Sequence, residues 1–163
     1  MNVEQREQII EELKVAYAME LETVQNYLAN SVDLDGVRAE EIKKSLAADI
    51  QEELGHANLL AKRIKVLEGR VPGSLDLERN QEALQPPDDS TDVISVIRGV
   101  ISGEESAISQ YEKIIEMTDG VDFVTQDMVI QILSDEQEHR RQFIGFLSEY
   151  ERSEAKRAMA EVH

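Results

Sequence analysis

The sequence has no cysteine, no tryptophan, only three prolines and eight glycines, and aromatic residues make up just 4% of it. Without cysteine there are no disulfides, no thiolate metal ligands, no iron–sulfur cluster and no cysteine nucleophile. The shortage of turn formers and β-favouring aromatics argues for long helices over sheet. No apolar run approaches a membrane span, and Met1 to Glu7 lack the basic start and apolar stretch of a signal peptide. A cytoplasmic protein with no membrane partner is expected. Positive charge is also scarce: 17 Lys and Arg stand against 34 Asp and Glu, a net charge of −17. Such a surface repels phosphate, so no nucleic-acid partner is expected.

What is present favours helix. The 163 residues are 41% hydrophobic and 31% charged, enough for one folded domain over 1–163 with its own core. Four helical stretches are predicted, at about 3–32, 37–69, 90–119 and 122–159. Asp33-Leu34-Asp35-Gly36 makes a tight first connection with Asp35 as a cap, Gly69 stops the second helix, and Ser90 or Thr91 caps the third. Asp119-Gly120 separates the last two helices. Residues 70–90, with Pro72 at one end and Pro86-Pro87 at the other, form a long polar connection. Short, long and short connections describe an all-α four-helix bundle, two helical hairpins joined by a crossover.

Each helix carries an apolar seam at three- and four-residue spacing, and each seam is broken near its middle by a carboxylate. The first reads Leu13, Tyr17, Glu20, Val24, Tyr27, and the second Ile42, Leu46, Asp49, Glu53, His56, Leu60, Ile64, Leu67. The third reads Val93, Ile97, Val100, Glu104, Ala107, Tyr111, Ile115, and the fourth Val129, Ile132, Glu136, His139, Phe143, Phe146, Tyr150. Four carboxylates buried at one depth repel one another unless positive charge sits among them. Two divalent cations would balance them, with His56 and His139 as neutral ligands. Residues three apart share a helix face, so Glu53 with His56, and Glu136 with His139, can each serve one metal. Oxygen and imidazole donors suit iron or manganese.

A single Glu-x-x-His pair on an acidic helix is more often a solvated face than a ligand pair. The repeat decides otherwise. Glu20 precedes Glu53 by 33 residues and Glu104 precedes Glu136 by 32, and each upstream glutamate has a tyrosine seven residues later, Tyr27 and Tyr111. Tyr17, Tyr27 and Tyr111 are expected in the core with their hydroxyls on carboxylates, and a redox role is open to Tyr27 and Tyr111. Asp49, one turn before Glu53, is a candidate supporting or access residue, whereas Glu22, Glu52, Glu105 and Glu138 point off the seam and most of them are expected to be surface charges. The third histidine, His163, is expected to be mobile at the terminus.

Three stretches resemble ferritin-like di-iron proteins, and bacterioferritins in particular. They are Glu20-Leu21-x-x-Val24-x-x-Tyr27, Glu53-Leu54-Gly55-His56-Ala57 with Leu67-Glu68-Gly69, and Asp127-Met128 through Asp135-Glu136-x-Glu138-His139. The likeness covers about residues 10–150. It implies that Glu53 and Glu136 bridge two Fe ions, that Glu20 and Glu104 are terminal carboxylates, and that His56 and His139 ligate one iron each, with Mn or Zn as substitutes. It implies oxidation of Fe(II) by oxygen or hydrogen peroxide for iron storage or detoxification. Leu54 stands where the family's haem-ligating Met would be, so haem is not expected. The crossover is longer than in bacterioferritin, and the tail from Glu151 lacks a Gly break before a fifth helix. A homo-oligomer is expected, as a dimer, a Dps-like 12-mer or a 24-mer cage.

Three other functions compete. A rubrerythrin-like peroxidase would carry a further glutamate where Ala107 stands. A di-iron oxidase acting on a small organic substrate would need a pocket for it. A purely structural dimetal bundle would bind metal without turnover.

Overall fold

In the computed structural model, which describes residues 1–161, Asn2 opens the first helix with a capping box: its side chain accepts from the Gln5 amide, and Gln5 returns the bond to the Asn2 amide. Helix α1 spans Val3–Asp33, α2 Glu40–Val66, α3 Val93–Thr118 and α4 Phe123–Glu161. Single 3-10 turns occur at Val37–Ala39 and Ser74–Asp76, and there is no strand among the described residues. His163 lies outside the described residues.

Several boundaries differ from the sequence reading. Helix α2 ends at Val66, and the residue with left-handed backbone is Glu68 (φ 68°), not Gly69. The Glu68 amide donates to Lys65 and the Gly69 amide to Ile64, the paired bonds of a Schellman ending. Gly69 is needed for proximity instead: a Cβ there would lie 2.9 Å from side-chain carbons of both Ile10 and Ile64. Asp92, not Ser90 or Thr91, caps α3, accepting from the Ser95 amide at 3.0 Å. Asp35 caps nothing. Its amide donates to the Ser90 carbonyl and its carboxylate accepts from the Ser90 hydroxyl, so it fastens the end of the crossover.

Helices α1 and α2 form one antiparallel hairpin and α3 and α4 the other, with α1 facing α3 and α2 facing α4. This pairing leaves α2 and α3 parallel. The crossover must therefore return along the bundle, a distance of about 40 Å for a helix the length of α2. Two apolar clusters fill the interior. One, toward one end, includes Leu13, Leu60, Ile64, Ile114 and Ile132; the other includes Leu46, Leu84, Ile97, Val100 and Phe143. Between them lies a polar layer. No helix among the described residues is long and apolar enough to cross a membrane.

Candidate metal centre

Helical spacing carries the seams through the polar layer, so each helix contributes at its midpoint. Glu20, Glu53, His56, Glu104, Glu136 and His139 are all buried there, none more than 5% exposed. They fall into two overlapping groups, Glu20, Glu53, His56 and Glu136, and Glu53, Glu104, Glu136 and His139. Glu53 and Glu136 belong to both. His56 Nδ1 lies 3.0 Å from Glu136 Oε1 and 3.5 Å from Glu53 Oε2; His139 Nδ1 lies 3.2 Å from Glu53 Oε1 and 3.5 Å from Glu136 Oε2. Each of these two carboxylates thus turns one oxygen to each imidazole. Glu20 stands 3.9 Å from His56 Nδ1, and Glu104 3.8 Å from His139 Nδ1.

The residues around this set repeat the same two-fold pattern. Tyr27 on α1 donates to Glu104 on α3, and Tyr111 on α3 donates to Glu20 on α1. His56 Nε2 pairs with Asp135 at 3.2 Å, and His139 Nε2 pairs with Glu52 at 3.3 Å. Both outer carboxylates directly precede a central glutamate, and each supports the histidine of the opposite hairpin. Holding Nε2 in this way leaves Nδ1 facing inward.

Three residues depart from expectation. Glu52 is not simply a surface charge, because it holds His139, and Glu22 accepts from the Asn80 and Gln81 amides of the crossover. Glu105 and Glu138 are surface charges, paired with Arg140 and Arg141. Tyr17 is only partly buried and makes no hydroxyl–carboxylate bond among the described residues. Asp49 is buried beside Glu52 and His139, and burial pushes its carboxyl up to about 6. Asp135 is a further supporting residue, one that the seam pattern does not mark. Its position relative to Glu136 matches that of Glu52 to Glu53, a signal the repeat could have supplied.

The donor set fits metal. Glu53 Oε1, both oxygens of Glu136, and Nδ1 of both His56 and His139 are buried and have no hydrogen-bond partner of acceptable geometry. Buried polar atoms are seldom left so, and these five belong to the two groups that could each hold a metal ion. Beside them is a small cavity of about 10 Å³, lined by all four glutamates and by neither histidine.

The ferritin-like domain family matches residues 10–153. The DNA protection during starvation protein of Pyrococcus furiosus is 28% identical over 146 residues, covering 87% of this chain and 78% of that protein. A dodecameric thioferritin, the bacterioferritin-related protein from Bacteroides fragilis, is 27% identical with a TM-score of 0.80, covering 93% of this chain and 90% of that one. The bacterioferritin of Desulfovibrio desulfuricans, whose structure describes a diiron site, superposes with a TM-score of 0.79 at 23% identity, covering 91% of this chain and 83% of that one. With four helices in two crossover-linked hairpins and a matched stretch of nearly its whole length, this chain belongs to the ferritin-like domain family.

Proposed function

We propose that the chain is a di-iron ferroxidase that oxidises Fe(II) with oxygen or hydrogen peroxide, in the service of iron storage or detoxification. The observation that carries the reading is the two-fold sharing of Glu53 and Glu136, each with one oxygen toward each imidazole. That arrangement suits two cations bridged by two carboxylates. Glu20 and His56 would complete one position, and Glu104 and His139 the other. Two ferrous ions bound there would supply one electron each to a two-electron oxidant.

The chain's own residues hold that chemistry in place. Tyr27 and Tyr111 orient the terminal carboxylates, and Asp135 and Glu52 fix the imidazoles. The two apolar clusters on either side keep bulk water away and strengthen the field of the carboxylates. The cavity has room for about one water-sized molecule, which favours a small oxidant over an organic substrate. Ala107, where a peroxidase of the rubrerythrin type would add a glutamate, forms part of its wall. A homo-oligomer is the proposed assembly. Its support is the partly apolar α1–α2 groove formed by Tyr17, Leu21, Leu54, Ala57 and Ala61, together with the dodecameric assembly of the Bacteroides fragilis relative.

The test is anaerobic loading with Fe(II), then addition of oxygen or hydrogen peroxide with absorbance recorded, for the native chain and a Glu53→Ala, Glu136→Ala variant. Saturation near two irons per chain with rapid oxidation, abolished in the variant, is expected. Stoichiometric binding with oxidation no faster than buffer would overturn the ferroxidase reading and favour a structural dimetal bundle or a dimetal oxidase specific for another substrate.

A further inference from the structure

The crossover does more than return the chain. It lies across the α1–α3 face in a groove made by glycines. A Cβ at Gly99 would come within 2.4 Å of the Ala83 carbonyl oxygen, and one turn on, a Cβ at Gly103 would lie 3.4 Å from Gln81 Nε2. The next position in this row is Ala107, and there the small side chain borders the cavity beside the four glutamates. Residues of α1 and the crossover together line an open polar cleft of about 320 Å³. Cleft and cavity have one lining residue in common, Gln81.

Gln81 is held as a partition would be. Its backbone amide donates to Glu22 at 2.9 Å, and its carbonyl accepts from Gln85 at 2.8 Å, so the main chain is pinned. Its side-chain Nε2 donates to Thr23, and its Oε1 accepts from Asn26, both at 2.8 Å. These two bonds join neutral groups, which water can replace at small net cost when the side chain changes rotamer. The pinned backbone keeps the crossover seated while the amide swings aside. Beyond the amide are Glu20, Glu104 and the Tyr27 ring, lining a cavity that neither imidazole borders.

We propose that Gln81 sets the size of molecule that reaches the glutamate side of the metal centre, admitting oxidants as small as dioxygen or hydrogen peroxide and holding back bulkier hydroperoxides. The proposal rests on the ferroxidase reading for the identity of the oxidant, and on the cleft, cavity and amide for the path. Acidic Asp49, Glu52 and Asp135 lie beside the imidazoles, so cation and oxidant would approach by different routes.

Two readouts test it, one of which needs no metal. In the metal-free protein, acrylamide quenching of tyrosine fluorescence is measured for the native chain, Gln81→Ala, and Gln81→Ala combined with Tyr27→Phe. Removing the amide should raise quenching, and removing Tyr27 should abolish the rise. In the Fe(II)-loaded protein, the oxidation rate by cumene hydroperoxide relative to hydrogen peroxide should rise about tenfold in Gln81→Ala. Gly103→Ala, whose new methyl meets only ordinary contacts, should lower quenching and slow oxidation by narrowing the same path. Unchanged quenching and an unchanged rate ratio, with iron still oxidised, would overturn the role of Gln81 and leave the ferroxidase reading standing. Raised quenching without iron oxidation by any oxidant would uphold the path and overturn the ferroxidase reading.

Discussion

Tyr27 on α1 donates its hydroxyl proton to Glu104 on α3, 77 residues further along the chain. Both groups are buried, so the bond fixes a carboxylate that would otherwise be free to rotate. Tyr27→Phe removes that restraint without changing the ring's packing. Metal affinity should fall by about ten- to a hundredfold, the usual cost of losing an outer hydrogen bond to a ligand. Anaerobic titration with Co(II) or Fe(II) measures this, and an unaltered affinity would reduce Tyr27 to a packing residue.

Metal uptake should expel protons. Burial, with the charges of Glu53 and Glu136, pushes the Glu20 carboxyl well above its ordinary range, and burial with Glu136 and Glu53 does the same to Glu104. Burial opposes charge on the imidazoles, but Glu136 and Glu53 outweigh it and carry His56 up to about 10 and His139 up to about 12. Burial also opposes charge on Glu53, yet His139 and His56 draw it down to about 2. The metal-free centre therefore sets imidazolium charge on His56 and His139 against Glu53 and Glu136, with Glu20 and Glu104 pushed toward their protonated forms. Two divalent cations would need ionised carboxylates and neutral imidazoles, so loading should release protons. Affinity should rise with pH. Calorimetry in buffers of different ionisation enthalpy counts the protons, and a buffer-independent heat would contradict this charge assignment.

The same groups set the stability of the metal-free fold. The raised pKa values of His56 and His139 mean that the folded chain keeps protons the unfolded chain has lost. Their contribution is complete below about 6.5 and disappears as pH climbs through about 10 to 12. Raised Glu20 and Glu104 act in the same direction from about 4.5 upward. Glu53 acts oppositely, stabilising above 4.5 and losing its contribution as pH falls toward 2. The Tm in chelator should therefore decline between neutral and alkaline pH, and saturating metal should remove the decline. Melting curves across that range, with and without metal, decide it.

At one end of the bundle, Arg63 of α2 makes a two-pronged bond to Asp122 at 2.8 and 2.9 Å, and its Nε donates to Thr125 at 2.7 Å. Asp122 also caps α4 by accepting from the Thr125 amide. Arg63→Met should cost roughly 3 kcal/mol, because it leaves a shielded carboxylate without its cation. Urea denaturation would show the loss, while metal stoichiometry should stay unchanged.

Gly99→Ala is expected to lift the crossover, because the new methyl meets a backbone carbonyl that has no rotamer to escape into. A cost of about 1–3 kcal/mol follows from overpacking. Faster hydrogen exchange around residues 80–85 would locate it. Exchange equal to that of the native chain would mean that the contact is slack.

The parts visible in the sequence are those governed by local periodicity. Glu53 with His56, and Glu136 with His139, follow from three-residue spacing on a helix, and the hairpin repeat placed Glu20 and Glu104 beside them. What stayed hidden depends on where a distant segment lies. Asn26 and Asn30 are polar residues on α1, yet they are buried because the crossover covers them, through Gln81 and the Leu84 carbonyl. Glu52 and Asp135 look like solvated charges until the opposite hairpin brings a histidine to each. Asp92 displaced two equally good caps because the preceding turn, closed by Asp89, occupies Ser90 and Thr91.

The reciprocal bracing of the two hairpins has a kinetic consequence. Each hairpin carries two of the central glutamates and one imidazole, but the partners that orient the imidazole and one of the glutamates belong to the other half: Asp135 for His56, Glu52 for His139, Tyr111 for Glu20 and Tyr27 for Glu104. Contacts within a hairpin are close in sequence and form early, whereas those between hairpins close long loops and form late. Until the two hairpins dock, His56, His139, Glu20 and Glu104 lack the partners that orient them, so these side chains should be fixed only when the long loops close.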